Sequence, residues 1–197
     1  MPRRLVLLLL VPILLLTFVS PALAADKTLS AYYAGDPDSS VRRAIQLAGL
    51  TLVDDPAQAQ VIVLNGVIPD ADALASQVQA GKGLVLILGS ATQAEDVSTL
   101  LGFPVTLELR DQAASLTEIK VDDPLTTEIV WNSAPQVRER YVTLSPVSSV
   151  QPLAATYEDG EWVLWQVKPT VYVINAVLEN DQTNPQLQQW AYYNYLI

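Results

Sequence analysis

Ser90 and four pairs of carboxylates are the side chains of this sequence best placed to do chemistry, because the commonest reactive groups are missing. The chain of 197 residues has no cysteine and no histidine, which removes the thiol nucleophile, the usual general base and the commonest metal ligand. Ser90 follows the apolar run at 84 to 88 and precedes a helical pattern, the place where a strand-to-helix elbow presents a nucleophile. A serine there without histidine needs a lysine base, and Lys82 lies at the opposite end of the same run. Thr92 and Glu95 have the spacing of a capping box, so Ser90 or Thr92 reads more simply as a helix cap.

The acids fall in pairs: Asp54 with Asp55, Asp122 with Asp123, Glu158 with Asp159, and Glu179 with Asp181. A glycosidase needs two carboxyl groups facing each other across roughly 5 to 9.5 Å. These pairs are adjacent or nearly so, and most abut proline or glycine, as solvated turns do. No EF-hand spacing is present, and Gly81-Lys82-Gly83 precedes a strand and lacks the Walker pattern. No cofactor and no metal are implied. Trp131, Trp162, Trp165, Trp190 and the tyrosines at 192, 193 and 195 invite a sugar-stacking reading. Trp162 and Trp165 differ by three positions and on a regular strand would point to opposite faces. The terminal aromatic run reads instead as a packing surface for further chain.

The elements that must position these groups alternate. Residues 28 to 34 read as a strand, followed by a tight loop and a helix with Val41, Ala44, Ile45 and Ala48 on one face. Asp38 is its expected N-cap and Gly49 its C′ residue. Short strands follow at 50 to 53 and 61 to 64, a helix at 70 to 80, a buried strand at 84 to 88, and another helix after it. Continuous apolar strands alternating with helices imply right-handed crossovers and a parallel sheet. Beyond Phe103 the pattern changes to shorter strands at 105 to 109, 116 to 121, 137 to 144 and 153 to 157. Asp159-Gly160 then signals a hairpin into residues 162 to 167. The run at 170 to 177 reads as a late core strand, and Asn184-Pro185 opens a last helix. The expected fold is α/β: a flavodoxin-like, doubly wound, mostly parallel sheet flanked by helices, with an added β-hairpin region in the second half. Residues 27 to 197 form one such domain.

Ligands of open parallel sheets bind outside the carboxyl ends of the strands. Asp36, Asn65, Ser90, Thr92 and Asn175 are therefore the candidate cleft residues for a small polar ligand, although their types also suit turns chosen for loop geometry.

The first 24 residues look like a secretory leader. Arg3 and Arg4 precede an apolar run from Leu5 to Val19 and an Ala22-Leu23-Ala24 cleavage pattern, and the run is shorter than the roughly 20 residues a helical span requires. The protein is expected to be exported, with any membrane contact made through this segment or through chain beyond Ile197. The aromatic end, without a helix-stop signal, predicts a parent chain that continues. The net charge of −10 becomes more negative when Arg3 and Arg4 leave with the leader, which argues against nucleic acid and anionic lipid.

The segment 78 to 89, VQAGKGLVLILG, and the hairpin leading to a late core strand over 160 to 177 resemble the class I glutamine amidotransferase-like superfamily. They are nearest to its trehalose-utilisation-type and β-galactosidase trimerisation-like branches. The family's amidotransferases use a cysteine at the elbow, with histidine and glutamate after the last core strand. Here the elbow reads Gly89-Ser90-Ala91-Thr92-Gln93, so the resemblance implies the fold without that chemistry. The expectation is a non-catalytic ligand-binding or protein-interaction module. A carboxylate-dependent hydrolase acting on carbohydrate and a purely structural oligomerisation domain are the alternatives.

Overall fold

In a computed structural model of the protein, residues 28–119, 123–144 and 149–197 are described. The expected leader, Asp122 of its acidic pair and the end of the strand expected at 116 to 121 lie outside them.

Alternation of apolar side chains along the first strands builds a core on both faces of one sheet. β1 (Ser30–Ala34), β2 (Thr51–Val53), β3 (Val61–Asn65) and β4 (Gly83–Ile87) are parallel. The late strand β10 (Val171–Ile174) pairs parallel to β4. β9 (Trp162–Lys168), β8 (Gln151–Thr156) and β6 (Leu116–Glu118) continue antiparallel, giving the order β2-β1-β3-β4-β10-β9-β8-β6. The sheet is thus mixed and mostly parallel, and the Asp159-Gly160 hairpin joins its antiparallel side, with Gly160 at φ 72°. β5 (Thr106–Ala114) and β7 (Val137–Leu144) form a separate two-stranded sheet.

Ala31 and Val63 face α1 (Ser40–Leu47) and the terminal helices, whereas Ile62, Leu64, Leu84 and Leu86 face α2 (Ala71–Gln79) and α3 (Ala94–Leu101). Both faces of the central strands are covered, as their continuous apolar runs require. Asp70 caps α2 by accepting from Ala73 N at 3.0 Å. At α1 the cap is Ser39, accepting from Arg42 N, and not Asp38; Gly49 does take the expected left-handed conformation after the helix, at φ 80°. The capping box at Thr92 does not form. Thr92 Oγ1 turns back to accept from Gly89 N at 3.0 Å, and α3 begins after Gln93 with no side-chain cap.

Two further expectations are corrected. The last helix is broken into α4 (Pro185–Gln188) and α5 (Tyr193–Leu196), which bury Leu187, Tyr193 and Leu196. Asn184 makes no side-chain cap; at φ 45° it bonds across to β7 instead. Trp162 and Trp165 do not part to opposite faces: their rings lie 5.9 Å apart in one core cluster. Ala154 and Ala155 pair with Leu164 and Trp162, so Val163 is an extra residue in β9, and this bulge resets the alternation.

The second sheet hangs on the chain just after β10. Tyr141 N donates to Asn175 O at 2.8 Å and Val177 N to Glu139 O at 3.0 Å, so β7 lies along residues 175 to 177. That places β7 beside the carboxyl edge of the parallel strands.

Candidate functional site

Three glycines follow the parallel strands at this edge: Gly35 after β1, Gly66 after β3 and Gly89 after β4. Gly66 has φ 75°, a conformation that costs other residues about 1 to 2 kcal/mol. The absence of side chains at Gly66 and Gly89 leaves a notch, and the carboxylate of Glu179 fills it. A Cβ at either position would fall 2.4 Å from Glu179 Oε1, and one at Gly89 would also meet Gly66 Cα at 2.6 Å.

Glu179 is held there by Ser90. The Ser90 N–H donates to Glu179 Oε1 at 2.8 Å and the hydroxyl donates to the same oxygen at 3.0 Å. Ser90 itself is exposed. A catalytic serine needs a free backbone N–H or its like to meet the oxyanion formed on attack. Here the adjacent N–H is already committed to a carboxylate. A similar pairing occurs at Ser115, the half-buried residue between β5 and β6, whose N–H and hydroxyl donate to Glu158 Oε2 and Oε1 at 2.8 and 2.9 Å. Those bonds hold the Glu158 carboxyl below its ordinary range. In both pairs the glutamate ties two stretches of chain distant in sequence.

A chain of hydrogen bonds continues from this notch across the edge. Asn65, 2% exposed, donates from Nδ2 to Leu178 O at 3.0 Å and to the Tyr33 hydroxyl at 3.2 Å. Tyr33 Oη lies 2.6 Å from Ser39 Oγ and donates to Asp36 O at 3.0 Å. Burial pushes the Tyr33 phenol up from its ordinary value, so it stays protonated as a donor. The Asp36 carboxylate is turned to its own loop, accepting from Asp38 N at 2.9 Å.

Of the residues expected to share a cleft, the fold brings Asp36, Asn65, Ser90 and Thr92 to one edge of the sheet. The Asn65 amide nitrogen and the Thr92 hydroxyl are spent on internal bonds, whereas Asn65 Oδ1 is buried with no hydrogen-bond partner, and Asn175 is not at the edge surface at all. It is fully buried beneath the second sheet, where Nδ2 donates to Thr143 Oγ1 at 3.1 Å and Trp162 O at 2.7 Å, and Oδ1 accepts from Trp165 Nε1 at 3.0 Å. Glu179 is the residue that sequence reasoning missed, having been grouped with Asp181 as a solvated pair. The signal that could have found it is its place just after the last parallel strand, opposite two strand-end glycines. Among the described residues no group of three acidic, histidine or cysteine side chains is arranged to hold a metal ion, and no helix is long and apolar enough to cross a membrane.

No protein-family model matches the sequence, and no curated protein matches it. Solved structures do match in fold. A putative ThuA-like protein from Bacteroides uniformis superposes with TM-score 0.58 at 18% identity, covering 90% of this chain and 91% of that one. A putative GMP synthase subunit from Thermoplasma acidophilum gives 0.54 at 12% identity, covering 86% and 90%. A glutamine amidotransferase from Thermotoga maritima gives 0.52 at 10% identity, covering 86% and 84%. At such identities the likeness is one of fold: an α/β architecture of the class I glutamine amidotransferase-like type.

Proposed function

We propose that this chain is a non-catalytic module of an exported protein, serving to bind a small polar ligand or a protein partner and not to transform a substrate. The observation that carries the non-catalytic reading is the filled notch. At the edge where open α/β sheets bind their ligands, the space beside Gly66 and Gly89 is taken by Glu179, which accepts from both donors of Ser90. Cysteine and histidine are absent from the whole sequence, so glutamine hydrolysis through a thiol and an imidazole has no groups to run on. The leader-like first 24 residues support an extracytoplasmic setting.

The test is a comparison of the wild-type protein with Ser90→Ala and Glu179→Gln. The expected outcome is no ammonia release from glutamine and no covalent capture of a fluorophosphonate probe by any of the three, each being folded by circular dichroism. Probe attachment to Ser90 in the wild type that disappears in Glu179→Gln would make the pair an acid–base dyad and overturn the proposal.

A further inference from the structure

A second concave region lies away from the strand-end notch, between the two-stranded sheet and the tip of the β8–β9 hairpin. Cross-strand partners share a face, so the pairs Thr106 with Leu144, Glu108 with Val142 and Arg110 with Arg140 all look onto the hairpin. Between them and the hairpin is a cleft of about 760 Å³, within the size range of small-molecule sites. Its walls change character along their length. Pro104, Val142, Leu144 and Trp162 make one end apolar, and Asp159 and Glu161 stand at the other.

Both walls are fixed from behind. Asn175, fully buried, joins Thr143 of β7 to the carbonyl of Trp162 at the start of β9. Arg140, 1% exposed, reaches from β7 to the hairpin, with Nη2 3.1 Å from Asp159 Oδ2 and 2.7 Å from Glu161 Oε2. Walls held by buried side chains keep the cleft open without a ligand, which lowers the ordering cost of binding.

The charges at the polar end do not cancel. Glu108, Asp159 and Glu161 face Arg110 and Arg140, three carboxylates against two guanidinium groups. Arg140 is buried behind the wall and Arg110, though 42% exposed, is paired with Glu108 at 2.8 Å and Glu161 at 3.3 Å, whereas Asp159, with a side chain 41% exposed, lines the cleft and can meet a ligand. An anion entering the cleft would find its accessible charge repulsive, and a neutral molecule would leave it unused. We infer that the cleft between β7 and the β8–β9 hairpin binds a small amphiphile with an apolar, preferably aromatic, body and one cationic end, the body against Trp162 and Val142 and the ammonium at Asp159.

The test uses three probes of one size on the full domain: phenethylammonium, phenethyl alcohol and phenylpropionate, titrated at neutral pH by amide NMR shifts. The cation should saturate, move the amides of Val142, Leu144 and Gly160, and bind about tenfold more tightly than the alcohol, the carboxylate being weakest. Asp159→Asn should erase most of the preference for the cation. Because Asp159 also bonds Arg140, Leu144→Arg is the control that spares this network: Leu144 is 68% exposed, and a guanidinium there should abolish binding of the cation in a folded protein. Equal affinities for the three probes, shifts that map elsewhere, or unchanged cation binding in a folded Leu144→Arg would each overturn the inference.

Discussion

Replacement of Gly89 by alanine tests whether the strand-end notch is as tightly closed as its geometry requires. An alanine Cβ would lie 2.6 Å from Gly66 Cα, whereas carbon atoms rest at about 3.5 to 4.0 Å. The ends of β3 and β4 must therefore part by about 1 Å. That movement strains the bond from Gly66 N to Ile87 O, now 2.9 Å. Overpacking of this kind costs about 1 to 3 kcal/mol, a weakened backbone bond about 1 kcal/mol, and the stiffer unfolded chain returns about 0.4 to 1 kcal/mol. The net loss should be about 2 to 3 kcal/mol, read by urea unfolding followed through the four tryptophans, with a fall in Tm of about 4 to 12 °C. Gly66→Ala differs in kind. Its three closest contacts are all atoms of the Glu179 side chain, which can swing aside, so what remains is the positive φ, about 1 to 2 kcal/mol. Removal of the glutamate in a double-mutant cycle separates the two. Glu179→Ala should relieve the steric part of Gly66→Ala and leave most of the cost of Gly89→Ala. A Gly89→Ala protein within about 0.5 kcal/mol of wild type, or one restored by Glu179→Ala, would refute the backbone contact on which the closed notch depends.

Two more outcomes follow from buried polar side chains. Burial pushes the Tyr193 phenol up to about 12 from an ordinary 10.0. Its contribution to stability is therefore complete below pH 10 and is lost as pH rises through the folded value, a change of about 2 to 3 kcal/mol. Tyr193→Phe should flatten that alkaline limb in unfolding measured against pH, and an unchanged slope would contradict the assignment. Asn184 anchors α4 through four bonds, three to β7, accepting from Arg138 N and Glu139 N and donating to Glu139 O, and one donated to Val177 O after β10, at a backbone φ of 45°. Asn184→Gly and Asn184→Ala should both lose about 2 to 4 kcal/mol, with alanine about 1 to 2 kcal/mol the worse for its left-handed backbone; denaturant midpoints that rank them the other way would refute it.

The first half of the fold was readable because its signals are local. The strand at 61 to 64, the helix begun by Asp70 and the core strand at 84 to 88 each carry periodicity, a cap or a turn within a dozen residues. The Asp159-Gly160 hairpin was readable for the same reason. What could not be read was the partnership of distant segments. The bulge at Val163 depends on the register of β9 against β8, so the joint placement of Trp162 and Trp165 was hidden. Thr92 satisfied a capping pattern on paper but turned to Gly89, because the tight turn after β4 offered a nearer donor. Asn184 does stand just before Pro185 at the start of α4, but its side chain bonds to β7, more than forty residues away in sequence, and not to the helix.

For the site, the chain by itself determined which chemistry is absent and which edge of the sheet matters. Composition removes thiol and imidazole without any coordinates, and the alternation of strands and helices directs attention to Asp36, Asn65, Ser90 and Thr92 at the strand ends. Whether the space beside Gly66 and Gly89 at that edge is open or filled was decided only by tertiary structure. Glu179 is one exposed-looking acid among many until the fold sets it opposite Gly66 and Gly89, since neither a notch nor its occupant exists until β3, β4 and the segment after β10 lie side by side. Asn175 was settled in the same way: the docking of β7 along residues 175 to 177 turned an edge residue into a buried tie.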